Sequence, residues 1–175
     1  MCHPHPQYGG DMDNPVVVGV ARALAQAGRA ALRFNFGGVG RSEGVYGHGR
    51  EEQCDVGAAV TALAGHVPDG TPLAIVGYSF GAWVGTLAAQ GLPRVARVVA
   101  VAPPLAFLDF DGVPGLRQPL DVVVGDRDQY CPTAALERFA AAYAARVEML
   151  PGADHFLSGV ESRVAAAVVR FLEPA

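Results

Sequence analysis

Two serines in this chain stand in the pattern G-x-S-x-G: Ser79 in GYSFG and Ser42 in GRSEG. The pattern matters because flanking glycines allow a tight turn that holds a serine hydroxyl out as a nucleophile. A hydroxyl attacks poorly until a histidine takes its proton, and that histidine needs a carboxylate to orient it. When the serine sits on a strand-to-helix turn, the acid and then the histidine follow it along the chain. Downstream of Ser79 there is one histidine, His155 in LPGADHFLSG, and the run VVVGDRDQYCP offers Asp126 and Asp128. Asp109, Asp111 and Asp154 are further carboxylates, but they fall in loops with no strand to aim them. The chemistry these residue types support is acyl transfer through a covalent ester on serine.

The surrounding elements decide between the serines. LAIVGY (73–78) reads as a buried strand, YSF as a turn tip and GAWVGTLAAQG as a helix, so Ser79 has the required context. Ser42 has the spacing only: NFGGVG precedes it and VYGHG follows, both loop-like. Other strand-length runs are AALRFNF (30–36), RVVAVA (97–102), LDVVVG (120–125) and RVEML (146–150). Near-continuous hydrophobicity in three of these five runs, at 73–78, 97–102 and 120–125, suggests strands covered on both faces. Helical patterns alternate with them. NPVVVGVARALAQAG is one, with Asn14 as N-cap, Pro15 in the first turn and Gly28 past the end. Alternation of strand and helix predicts an α/β domain over residues 1–175 with a mostly parallel sheet.

Composition narrows the function classes. The chain has 175 residues, 51% hydrophobic and 17% charged, which suits a globular core. A net charge of −4 with no basic run gives no footprint for nucleic acid. All thirteen cationic side chains are arginines, so Schiff-base chemistry and a P-loop lysine are excluded. Three cysteines without C-x-x-C spacing read as reduced thiols. The polar, proline-rich opening and the lack of a long apolar run give the expectation of a cytoplasmic protein with no membrane partner. His48 and His66 read as solvated.

The segments HPHPQYGGDMDN, LRFNFGGVGRSEG, GYSFGA, GDRDQYCP and GADHF together resemble the α/β-hydrolases, most closely small bacterial ones without a lid. In that family the acid is the aspartate of G-x-x-D-x-x-x-P. The resemblance therefore favours Asp128, between Gly125 and Pro132, over Asp126. It also implies an oxyanion hole of two backbone N–H groups, one on Phe80 and one on the HPHPQ turn. Pro4 and Pro6 have no N–H, which leaves His5 as the donor and Gln7 in reserve. A His-x-His metal site at His3 and His5 has no further ligand cluster in the sequence to support it. No cofactor is implied.

Two departures accompany the resemblance. The family fold has a central strand leading into the oxyanion turn and two strands before that, whereas only Met1 and Cys2 precede HPHP. The expectation is a three-layer α/β-hydrolase-like fold with N-terminal strands missing. Met1 and Cys2 would be the tail of a lost strand, or another chain would supply it, as in a homo-oligomer through exposed sheet edges. The segment 103–119 is too short for a cap domain; its Leu105, Phe107, Leu108 and Phe110 suit an acyl pocket or core cover. The resulting expectation is a serine hydrolase for a small acyl substrate with Ser79, Asp128 and His155 as its triad. Thioester or peptide cleavage and acyl transfer would use the same groups, and a non-catalytic binding module is the reading from another class.

Overall fold

The computed structural model describes residues 1–110 and 116–173. Its centre is a parallel four-stranded sheet in the order β1 (Leu73–Tyr78), β2 (Val95–Val101), β3 (Leu120–Gly125) and β4 (Arg146–Leu150). Among the described residues five α-helices accompany it: α1 (Pro15–Gln26), α2 (Arg50–Ala64), α3 (Phe80–Ala89), α4 (Thr133–Tyr143) and α5 (Glu161–Leu172). Asn14 caps α1 through its side chain, which accepts from Val16 N–H at 3.0 Å.

The period-two alternation of the strands sorts their side chains into two cores. Ile75, Val98, Ala100, Val122 and Val124 face α2, α3 and α4. Val76, Tyr78, Val99, Val101 and Val123 face α1 and α5. Helices on both faces make three layers, which is why β2 and β3 are almost wholly apolar. Each valine buried this way contributes roughly 1.5–3 kcal/mol relative to exposure. The edge strand β4 is less covered, with Val147 and Met149 about 40% exposed.

One sequence expectation fails here: residues 30–36 form no strand. A ladder needs a partner backbone, and the residues lying between this segment and β1 are Met1 to His3. Met1 donates to the Leu32 carbonyl (2.8 Å), and the imidazole Nε2 of His3 accepts from Phe36 N–H (3.1 Å). Cys2 bridges β1 in the parallel sense, from its N–H to Val76 (2.9 Å) and from Tyr78 N–H to its carbonyl (3.0 Å). Beyond Met1 the gap is a trough of about 700 Å³, walled by apolar groups including Leu32, Phe34, Val60, Leu63 and Ile75. The strand propensity of AALRFNF is real, but strand structure requires pairing as well as propensity.

No helix among the described residues is long and apolar enough to cross a membrane. The loop after β2 splits the four apolar residues of 103–110. Phe110 is buried in the core and Leu105 and Leu108 pack against it, whereas Phe107 stands 70% exposed.

Candidate active site

Ser79 lies at the carboxyl end of β1 and caps the start of α3, with φ 54° and ψ −117°. A non-glycine residue in that region is strained by roughly 1–3 kcal/mol, so the surrounding contacts must hold it there. Ser79 N–H donates to Val101 on β2 (2.9 Å), and the Ser79 carbonyl accepts from Ala82 N–H (2.9 Å). The flanking glycines are needed for closeness. A Cβ on Gly77 would sit 2.1 Å from the Gly81 carbonyl oxygen, and one on Gly81 would sit 2.4 Å from that of Cys2. The glycines of GYSFG thus let helix, strand and N-terminal segment meet backbone to backbone.

The structure brings three of the expected side chains together. Ser79 Oγ is 2.9 Å from His155 Nε2, and His155 Nδ1 is 2.9 Å from both oxygens of Asp128. A carboxylate only accepts, so Nδ1 carries the imidazole hydrogen and the bare Nε2 accepts the serine O–H. Asp128 and His155 are almost wholly buried (6% and 4% exposed), which strengthens their pairing.

Both partners are fixed from behind. Asp128 Oδ1 also accepts from the N–H groups of Tyr130 (2.8 Å) and Cys131 (3.1 Å). The Tyr78 hydroxyl donates to the His155 carbonyl (3.1 Å), and burial together with Asp128 pushes its ionisation well above the usual phenol range, so it stays a donor. Burial and the same carboxylate push the Cys131 thiol to about 12, so this cysteine is a packing residue.

The competing residues have other partners. Asp126 is exposed and accepts from Gly152 N–H (2.7 Å), tying the turn after β3 to the loop that carries His155. Asp154 accepts from Phe156 N–H (3.0 Å) within its own turn. Asp109 contributes its carbonyl to the indole N–H of Trp83 (2.7 Å). Asp111 lies outside the described residues. Ser42 donates to the Asn35 carbonyl (2.9 Å) and belongs to a loop.

The N-terminal turn lies against the start of α3 from the other side. Phe80 is the first residue of α3, so its N–H has no carbonyl one turn back to occupy it. The His5 ring packs on the Phe80 ring with centroids 4.7 Å apart. Gln7 N–H donates to His5 Nδ1 (3.2 Å), which engages one of the two N–H groups considered for the oxyanion. That bond leaves the hydrogen of a neutral His5 on Nε2, which meets the Tyr46 hydroxyl at 3.0 Å.

His3 is fully buried, with Nδ1 donating to the Pro4 carbonyl (2.7 Å) and Nε2 accepting from Phe36 N–H. Its ring staples the turn to residue 36. Burial lowers the basicity of both His3 and His5, for His3 against the smaller effects of its hydrogen bond to Pro4 and of Asp11, and for His5 against that of Glu52.

Sequence reasoning missed Tyr46, Tyr78 and Tyr130 as supports. Tyr78 and Tyr130 lie inside motifs already singled out, next to Ser79 and two residues after Asp128. Tyr46 carries no local signal, because only the fold brings it to His5. The buried Glu52 accepts from the N–H groups of Gly47 (2.8 Å) and Gly49 (2.7 Å), fixing the loop on which Tyr46 rides.

This combination of parallel sheet, serine on a strained strand–helix turn and facing histidine is matched at family level. A family model described as an alpha/beta hydrolase domain matches residues 7–166. The chain belongs to the α/β-hydrolase family. Among solved structures, this α/β-hydrolase is similar to an alpha-beta serine hydrolase homologue from Coxiella burnetii. The two are 33% identical with a TM-score of 0.89, over 98% of this chain and 83% of that one. An a/b serine hydrolase without lid from Xanthomonas campestris is 32% identical with a TM-score of 0.83, over 99% of this chain and 81% of that one. An uncharacterised protein of Rickettsia prowazekii is 35% identical over 131 residues. That match takes in 73% of this chain, which spans 55% of the relative's length.

Proposed function

We propose that this α/β-hydrolase is a serine hydrolase that cleaves an ester or related acyl bond of a small substrate. The observation that carries the reading is the continuous hydrogen-bonded line Ser79–His155–Asp128, in which each atom has the role acyl transfer requires. The Xanthomonas campestris relative, described as a serine hydrolase without lid, supports the same class.

In the first step Ser79 Oγ bonds to the substrate carbonyl carbon while its proton passes to His155 Nε2. The imidazolium that forms is stabilised by Asp128. The N–H groups of Phe80 and His5 receive the oxyanion; one such donor is worth about 3–4 kcal/mol in comparable sites. Collapse breaks the bond to the leaving group, which takes the proton from His155 Nε2 and departs as an alcohol. Water then gives a proton to His155 and attacks the acyl-serine. The carboxylic acid leaves, and Ser79 regains its proton.

The test is pre-steady-state hydrolysis of a nitrophenyl ester. A burst of nitrophenol stoichiometric with protein is expected, with no burst and no turnover in Ser79→Ala. Turnover that survives Ser79→Ala would refute the assignment.

A further inference from the structure

We propose that the site selects acyl substrates whose leaving group is an aromatic alcohol or thiol, and that Phe107, Tyr130 and Phe156 bind it. The proposal rests on the serine-hydrolase reading above. The leaving oxygen or sulfur must reach His155 Nε2 to take its proton, so the leaving group lies on the histidine side of Ser79.

That side is lined with aromatic rings from three separate loops. Tyr130, after β3, stands edge-on to the His155 imidazole with centroids 4.6 Å apart. Phe156, after β4, is 5.9 Å from the imidazole and 6.4 Å from Tyr130. Phe107, after β2, stands edge-on to Tyr130 at 5.1 Å. These spacings are those of interacting aromatic pairs, and they leave edges and faces for another ring.

Each ring is held at its backbone. Tyr130 N–H donates to Asp128, Phe107 N–H donates to the Pro104 carbonyl (3.1 Å), and Phe156 N–H donates to Asp154. The core does not explain the outer two, because Phe107 and Phe156 are 70% and 56% exposed. Phe110, three residues from Phe107, is 3% exposed and shows where a core-covering residue of this loop goes. Large apolar surface kept in water beside a candidate nucleophile is surface offered to a ligand.

The other flank is organised around one imidazole: His5 meets Tyr46 through Nε2 and Gln7 N–H through Nδ1, with the buried Phe80 ring and the exposed Tyr8 ring packed on it. The three-ring shelf lies on the side from which the leaving group takes its proton, which assigns it to the leaving group.

The experiment compares benzyl and ethyl esters of one acyl group, whose alcohols differ little in acidity. It uses the parental protein, Phe107→Ala, Phe156→Ala and the double variant. Labelling of Ser79 by a small alkyl fluorophosphonate runs in parallel. The parental protein is expected to favour the benzyl ester in kcat/KM, and the double variant to lose about tenfold on benzyl but under about twofold on ethyl. The labelling rate is expected to stay constant across the four proteins. Equal losses on both esters, or an unchanged benzyl-to-ethyl ratio, would overturn the shelf. Labelling at Ser79 without turnover of either ester would also overturn it while leaving the nucleophile assignment standing. Absence of both labelling and turnover would remove the serine-hydrolase reading, and this inference with it.

Discussion

The two flanks of Ser79 are built by opposite strategies. On the histidine flank, Asp128 and His155 follow directly on β3 and β4, and their positions descend from a continuous parallel ladder. Every polar atom of that pair has a partner within about 3 Å. On the other flank, the turn from His3 to Tyr8 hangs from one β-bridge among the described residues, Cys2 to Gly77. It is steadied by side chains reaching across long stretches of sequence, His3 to residue 36 and Tyr46 to His5. A sheet fixes one flank and a set of individual contacts fixes the other. The first should fail only when a chemical group is removed; the second should be sensitive to packing and to pH.

The largest effect expected is on the histidine flank. Asp128→Asn should lower kcat by about 10⁴-fold, because an amide N–H toward Nδ1 turns the imidazole into the wrong tautomer. Asp126→Asn keeps an acceptor for Gly152 N–H and should change kcat less than about threefold. Steady-state kinetics on one ester checks both, and comparable losses in the two variants would undo the assignment of the acid.

Next in size is the junction between the flanks. Gly81→Ala would drive a Cβ to 2.4 Å from the Cys2 carbonyl oxygen, a backbone atom with no easy retreat. A loss of at least about 2 kcal/mol in urea unfolding is expected, together with loss of activity. A fully stable Gly81→Ala would mean that the N-terminal turn is not seated on the elbow as described.

A smaller effect is expected from Tyr46→Phe, which leaves His5 Nε2–H without its hydroxyl partner. We expect kcat to fall about threefold to tenfold with KM little changed, since the turn would still form but hold the oxyanion less firmly. A change in KM alone would point to substrate contact instead. A loss as large as that of Asp128→Asn would erase the contrast between the flanks.

The smallest effect is on stability against pH. His3 and His5 both have folded-state basicity lowered from the usual 6.5 by burial. Above that value both are neutral folded or unfolded, and their contribution is fully present. As pH falls below it the unfolded chain takes up protons that the folded turn resists, so stability is lost. The melting temperature should therefore drop between pH 7 and pH 5.5, and His3→Gln should flatten that drop. An unchanged slope in His3→Gln would place the titration elsewhere.

How far the sequence could be read follows the same division. Ser79, Asp128 and His155 follow the ends of β1, β3 and β4, whose apolar runs and flanking glycines are local signals, and the runs read from the sequence have the bounds of these three strands. Residues 30–36 read as a strand but form none, because their β-propensity is local while the pairing it needs is not. The support given by Tyr46 and Glu52 was invisible for a related reason: a hydrogen bond spanning 41 residues leaves no spacing to detect. His3 and His5 looked alike in HPHP, yet one is a buried staple and the other a ring against Phe80. Only the fold separates them.

The central claim is that Ser79 alone is the activated nucleophile. Intact-mass analysis after exposure to an alkyl fluorophosphonate, followed by peptide mapping, tests it directly. One adduct is expected, on Ser79, abolished in Ser79→Ala and retained in Ser42→Ala. An unmodified protein, or an adduct on any other residue, would contradict it.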